Sequence, residues 1–374
     1  MRVTLYRDYK EEGWESMEVY ADNLHRSLTM RRKDLSVGEF TALPALSRIF
    51  AANNKFLRYF FRFVINPFFA KWHQGDVNHI IDQANAHLLY RLDPRKTVVT
   101  CHDLIVPYWV MHNVPQTYKK RIKRLGELWR IRFLKKAAKI IAVSQATKDD
   151  IVHTLGIDPG KIVVIHEGVD DFFKKRPDER DLRKAKIDLM LPRRYILHVG
   201  TTHEYKNMET LISLFASLRK KDKNLFLVKV GAPWTADQQV LIERLGLGNF
   251  IRHLGFITKR ELPAVYRMAV ALVHPSRTEG FGFTVLEAMA SGCPVIVSDI
   301  PALRELVDTA GIYIHPLLTK KDIQRVASLL NSPPLLRTYR LRGHKRAVRY
   351  SWQNCARQTY GLYQEIVKRN IHQR

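Results

Sequence analysis

The sequence predicts an α/β fold built as two parallel-sheet domains in tandem. Three observations carry this. Strand–loop–helix units recur along the chain: short β-branched runs, then loops rich in Gly or Pro, then apolar residues at helical spacing. The length of 374 residues is long for one core and comfortable for two. The segment 172–193, charged, irregular and carrying Pro177 and Pro192, interrupts the series as a linker. The expected division is a first domain over 1–171, the linker, a second domain over 194–349, and a last helical segment over 350–374.

Composition narrows the class. A hydrophobic content of 46% and a charged content of 26% fit a globular chain. The balance of 62 Lys+Arg against 36 Asp+Glu gives +26, which points to an anionic partner or to a basic surface that serves only solubility. Zinc-finger, RNP and Walker signatures are absent, so nucleic acid is not expected as the partner. Cys101, Cys293 and Cys355 are too widely spaced for a disulfide framework and suit a reducing, cytoplasmic setting. Met1–Tyr6 reads as a strand rather than a leader, and no apolar run reaches the ~18 residues of a spanning helix. A membrane role would be peripheral, on the inner face.

The first half begins with a strand at Arg2–Tyr6, a polar loop holding Gly13, and a helix patterned by Met17, Tyr20, Ala21, Leu24 and Leu28. A strand, a glycine loop and a helix make a ligand-facing corner of a parallel sheet. Residues 55–72 interleave aromatics with Lys55, Arg58, Arg62 and Lys71. Two readings stand: a helix lying in an anionic headgroup layer, or an amphipathic helix packed on its own domain. Val98–Thr100 is a strand leading into His102 and Asp103. That places His102 either at a ligand crevice or, as for most lone histidines, in a satisfied interior. Residues 118–139 are basic and amphipathic, a solvated helix face or a second anionic-surface element. Lys139–Ser144 is a strand ending at a helix start. Ser144 lacks a base partner and is not read as a nucleophile. Lys161–Ile165 is the next strand, leading to Glu167.

In the second half strands are expected at Tyr195–Val199, Leu225–Val230, Ile251–His253, Ala269–His274, Val295–Ser298 and Gly311–Ile314. Gly200 and Lys206 fall in the loop after the first of these, and a glycine turn with a lysine suits a diphosphate. The stretch 270–301 is the most informative. Glu279 and Glu287 stand eight positions apart, with Gly280, Phe281 and Gly282 between them and a helix starting near Phe283. The glycines permit close backbone approach, and the amides of Phe283, Thr284 and Val285 would point at a phosphate from the helix N-terminus. Glu287 can accept hydrogen bonds from a diol such as ribose, and Glu279 can orient sugar hydroxyls. The plainer reading is a dipole partner at Glu287 and an exposed loop residue at Glu279.

The run E-G-F-G-F-T-V-L-E-A-M-A-S-G-C-P-V-I-V-S-D, residues 279–299, resembles the E-x7-E segment of retaining glycosyltransferases of family 4 (glycosyl transferases group 1). H-D-L after Cys101 and Gly255-Phe256-Ile257-Thr258 resemble further segments of that family. The resemblance implies the GT-B fold: two Rossmann-like domains with an interdomain cleft, the first for the acceptor and the second for the nucleotide sugar, and a last helix returning to the first. It implies that Glu279 and His102 border the reacting sugar and that Gly13, Gly200, Lys206, Gly280, Phe281, Gly282, Phe283, Thr284, Val285 and Glu287 bind the donor. Phe256 and Ile257 would pack on its base. The activity implied is retaining transfer of a hexose, with mannose the first guess, from a nucleoside-diphosphate sugar to a glycan or lipid-linked acceptor. Two departures stand out. The first loop has only Gly13 where the family has more glycines, and the arginine that accompanies the lysine is replaced by Thr201 and Tyr205. No D-x-D triplet occurs, so no metal and no cofactor are expected. The missing arginine keeps a second reading open, a catalytically degenerate GT-B module serving as a membrane- or partner-binding scaffold.

Overall fold

The computed structural model describes residues 1–7, 15–30, 34–41, 60–104, 126 and 129–372. Gly13, residues 55–59 and most of 118–128 lie outside the described residues. The chain forms two compact units: Met1–Gly168 with Trp352–Arg374, and Val169–Ser351.

The first unit holds a six-stranded parallel sheet of β1 (Arg2–Tyr6), β2 (Ser36–Phe40), β3 (Val77–Ile80), β4 (Thr97–Cys101), β5 (Lys139–Ala142) and β6 (Ile162–Val164), in the order β2-β1-β3-β4-β5-β6. Neither β2 nor β3 is expected from the sequence. The strand β2 is a largely exposed edge interrupted by Gly38, and β3 reads V-N-H-I, with two polar residues in the interior. Those polar groups are satisfied by partners both near and far along the chain. His79 bonds Tyr363 Oη and, at 2.7 Å, Thr100 Oγ1, while Asn78 Oδ1 accepts from Gly75 N. Burial holds His79 neutral, its pKa lowered to about 3. The partner Tyr363 lies on the last helix, Trp352–His372, whose Trp352, Cys355, Ala356, Thr359, Tyr363 and Ile366 recur at helical spacing and are buried. Ser144 caps the helix Gln145–Leu155 by accepting from Thr147 N, and Gly156, at φ 59°, ends it.

The second unit holds β7 (Tyr195–Val199), β8 (Phe226–Val230), β9 (Ile251–His253), β10 (Ala271–His274), β11 (Val295–Ser298) and β12 (Ile312–Ile314), all parallel, in the order β12-β11-β10-β7-β8-β9. Strands and crossover helices alternate as the sequence predicts. Met208, Leu211, Ile212, Phe215 and Leu218 of the helix Met208–Lys221 pack with Ile196, Leu227, Ala271 and Ile296 of the sheet. The expected linker is largely helical. Asp171–Lys174 and Glu179–Asp188 are helices of this unit, anchored by buried Phe173 and Ala185. The high charge hid a few apolar anchors, of which Phe173 packs edge-on against Tyr266 at 6.1 Å.

Three neighbouring strands of this sheet, β7, β8 and β9, are followed by glycines at positive φ: Gly200 (141°), Gly231 (102°) and Gly255 (65°). Gly231 N donates to Gly255 O at 2.7 Å, and a Cβ on Gly231 would stand 2.5 Å from Gly200 O. These turns therefore touch backbone to backbone. Gly231→Ala is expected to cost at least about 2 kcal/mol, combining backbone strain with the clash, seen as a lower urea midpoint. Gly246→Ala, also at positive φ (64°) but with open space around it, should cost less.

Candidate functional site

In an open parallel sheet, ligands bind beyond the carboxyl ends of the strands where the strand order reverses. In the second sheet that point lies between β7 and β10, which are paired directly. The loop after β7 carries Gly200 and Lys206. The loop after β10 carries Glu279–Gly282 and leads into the helix Phe283–Ala290. The two loops are pinned together. Asn207, buried at φ 56°, donates to the carbonyls of Pro275 (3.0 Å) and Pro316 (2.8 Å), and Arg277 N donates to Tyr205 O at 2.7 Å.

Pinning brings Lys206 and Glu279 into contact. Lys206 Nζ donates to Glu279 Oε1 at 2.6 Å, and His274 Nε2 donates to the same oxygen at 2.7 Å. Burial alone would raise the Glu279 pKa, but Lys206 and His274 outweigh it and hold the carboxyl well below the usual carboxylate range. His274 is fully buried, and burial lowers its pKa despite Glu279. The neutral ring then donates from Nε2 and accepts the Thr284 hydroxyl at Nδ1, 3.4 Å away. Lys206 also lies 5.1 Å from the centroid of the Tyr205 ring, so one position where the family has a guanidinium offers an aromatic face to the lysine instead.

Glu287 is the fifth residue of the helix Phe283–Ala290 rather than a first-turn residue. It is half-buried and accepts a hydrogen bond from Tyr266 Oη at 3.0 Å. Burial pushes its pKa up to about 7, only partly offset by Tyr266 and Lys259. The Val285 amide does not point outward as expected: it donates to Gly282 O at 3.0 Å, closing a tight first turn. Gly282 itself has φ 105°, and a Cβ there would meet Leu303 Cδ2 at 2.9 Å. Phe281 is buried against Phe283 and Tyr350, with centroids at 5.9 and 5.8 Å, so its side chain serves packing. Phe256 is 72% exposed beside half-buried Ile257, after β9. Composition and spacing gave no signal for His274 or Tyr266, which act only through the fold.

His102 lies in the first unit and is fully committed internally. Its Nδ1 donates to Glu167 Oε1 and its Nε2 to Ile81 O, both at 2.8 Å, and Tyr20 meets the ring edge-on. Burial opposes the charge, but Glu167 wins and raises the pKa to about 9, so the ring is an imidazolium.

The family model for glycosyl transferases group 1 matches residues 158–346, and that for glycosyltransferase family 4 matches 17–171. The chain belongs to the glycosyl transferases group 1 family. It is 28% identical over 290 residues to the O-antigen chain mannosyltransferase B of Escherichia coli, covering 76% of this chain and 74% of that one. The fold is shared with a sucrose-phosphate synthase from Thermosynechococcus elongatus, with TM-score 0.76 and 20% identity over 98% of this chain and 99% of the other. It is also shared with Anabaena Alr3699/HepE in complex with UDP and glucose, with TM-score 0.73 and 17% identity over 98% and 100%. This family's fold is GT-B, as the resemblance implied.

The His102–Glu167 pair makes a stability prediction. A histidine whose folded pKa is raised contributes stability that is fully present below its unfolded value of 6.5 and is lost as pH rises through about 9. The denaturant midpoint should fall over that window, and His102→Gln should remove this part of the slope. Glu167→Gln removes the attraction that outweighs burial, so the ring should turn neutral at neutral pH, the same part of the slope should vanish, and the cost is about 2 kcal/mol.

Proposed function

We propose that this glycosyltransferase is a retaining hexosyltransferase that uses a nucleoside-diphosphate sugar and acts in polysaccharide biosynthesis. The observation that carries the reading is the Lys206–Glu279–His274 cluster at the strand-order reversal of the second sheet. Glu279, kept ionised, accepts hydrogen bonds from the donor sugar's hydroxyls. Lys206 offsets charge on the departing diphosphate. Glu287 accepts from the ribose diol, and exposed Phe256 offers a face to the base.

In the reaction the bond from the anomeric carbon to the diphosphate oxygen breaks. A bond to the acceptor oxygen forms on the same face, and the acceptor's proton leaves with the diphosphate. No protein nucleophile takes part. Within the first unit His102 is a paired imidazolium rather than a proton carrier, since both its ring nitrogens already donate. The charges that meet the diphosphate come from the protein, without a metal. The E. coli mannosyltransferase relative supports mannose as the sugar, and the UDP-bound fold relative supports a nucleotide sugar. Replacement of the usual arginine by Thr201 and Tyr205 is what favours the other reading, a degenerate scaffold.

A thermal-shift screen with UDP, GDP and ADP separates the two. At least one should raise the melting temperature by mass action, and silence from all three would leave only the scaffold. Ribose binding needs Glu287 ionised, so affinity should rise as pH increases through about 7. Glu287→Gln should weaken binding about tenfold or more and flatten that limb. Equal affinity for the variant would remove Glu287 from the site.

The acceptor is proposed to be a glycan or lipid-linked glycan met at an anionic bilayer. Phe60, Val64, Phe68 and Trp72 form one exposed stripe, each residue four positions from the next, with exposed Lys71 beside it and Arg91 4.1 Å from the Phe68 ring centroid. The sequence reading placed Arg62 on this face. It is instead buried, donating to Asn85 Oδ1 at 3.1 Å, because a π-helical turn over Phe61–Ile65 rotates it inward. Among the described residues no helix is long and apolar enough to cross a membrane. The wild-type chain should pellet with anionic vesicles and not with neutral ones, and Phe68→Ser with Trp72→Ser should abolish pelleting. Unchanged pelleting excludes this stripe.

A further inference from the structure

Behind the Gly200 turn lies a lysine that the proposed chemistry does not use. Lys229, on β8, is fully buried. Its ammonium donates to Gly200 O at 3.4 Å and to Ala232 O, and it lies 5.3 Å from the Trp234 ring centroid. Among the described residues no carboxylate lies within ion-pair range of it. A buried ammonium held only by two carbonyls and an aromatic face is costly to keep in a stable interior.

Its place suggests what it is for. Gly200 begins the loop that ends in Lys206 and pairs with Glu279, and Gly231 next to Lys229 touches Gly200 backbone to backbone. Both positions in that loop where the family has a guanidinium are uncharged here, Thr201 and Tyr205. We propose that Lys229 is a positioning cation of the donor-diphosphate site, drawing the Gly200 carbonyl back from the ligand and supplying from beneath the turn the positive charge that Thr201 and Tyr205 lack. This rests on the reading of the second unit as the nucleotide-sugar site.

The groups facing Lys229 leave it a distinct signature. From β7, His198 is buried, donates from Nδ1 to Val273 O, and is held neutral by burial with a pKa of about 3. From β10, His274 stacks on His198 at 6.2 Å and is also lowered by burial. From β9, His253 Nε2 donates to Gly231 O at 2.9 Å. The remaining nearby cation, Lys206, is tied to Glu279. Burial lowers Lys229 to about 8, so its charge is half lost in the mildly alkaline range. An anionic diphosphate above the turn favours the charged form. Binding should therefore take up a proton near pH 8, and affinity should fall as pH rises from about 7 to about 9.

The test is calorimetric titration with whichever of UDP, GDP or ADP responds in the thermal screen. It is repeated in buffers of different ionisation enthalpy across that range. The wild type is expected to take up protons and lose about tenfold in affinity between the two ends. Lys229→Met should bind about tenfold more weakly at the lower end, with a flat profile. Lys229→Arg, always charged, should keep affinity at both ends. A flat wild-type profile without proton uptake overturns the inference whatever the variants do. So does a Lys229→Met variant that retains the wild-type slope, and in both cases the donor site itself stands because nucleotide still binds. If no nucleotide binds the wild type, the donor-site reading fails and this inference fails with it.

Discussion

The Lys206–Glu279 ion pair is the constraint around which the second unit is arranged. Each partner sits on a loop leaving a different strand, and they meet because β7 and β10 are neighbours although β8, β9 and their helices come between them in the chain. Asn207 holds the meeting in place with two backbone bonds and accepts a left-handed backbone to do so. An unmatched buried carboxylate at Glu279 would be protonated or solvated. Paired, it remains an anion with fixed direction inside a dry corner. Electrostatic work on a transition state requires that kind of preorganised charge.

Each unit sets a histidine against a carboxylate near the carboxyl end of its sheet, and the two pairs settle in opposite states. His102 faces Glu167, with Asp82 and the Ile81 carbonyl adding to the attraction, and the ring is charged. His274 faces Glu279, but burial outweighs that attraction and Lys206 opposes it further, so the ring stays neutral. The same two side-chain types at nearly the same distance, 2.8 and 2.7 Å, thus give an imidazolium in one unit and an imidazole in the other. Burial opposes the charge in both, and the neighbouring charges, Asp82 beside one pair and Lys206 beside the other, push the two apart.

Such neighbours also mark where sequence reading succeeds and where it stops. The second sheet was legible nearly strand by strand, because most of its strands are apolar runs broken by at most one polar residue and its loops carry Gly, Pro and capping residues. Glu279 and Lys206 stood out in glycine-bearing loops and Glu287 in the helix that follows, and the fold brings Glu279 and Lys206 into contact. The strand β3 was not, because Asn78 and His79 look wrong for a central strand until Tyr363, 284 positions away, is seen bonding His79. His274 and Tyr266 read as ordinary interior residues, and the roles of both depend on contacts that only the folded sheet creates. Arg62 was misread for a related reason: its sequence period is helical, but a π-turn shifts the phase by enough to bury it.

Glu287 and Lys229 extend the point to energetics. Burial raises the carboxyl and lowers the ammonium, so each is pushed toward its neutral form. Neither strain helps the empty protein. A diol donating to Glu287 and a diphosphate above Lys229 would each relieve one of them, and the free energy released would appear as ligand affinity. The relief has opposite pH signs, since Glu287 must lose a proton and Lys229 must hold one. A nucleotide that meets both groups at once is therefore bound best between about 7 and about 8, in the narrow interval where the two requirements overlap. A ligand offering only phosphate would be indifferent to the acidic limit, and one offering only ribose to the alkaline limit. The interval would thus be the mark of an intact nucleotide diphosphate, set by one residue on a helix and one on a strand of the second unit.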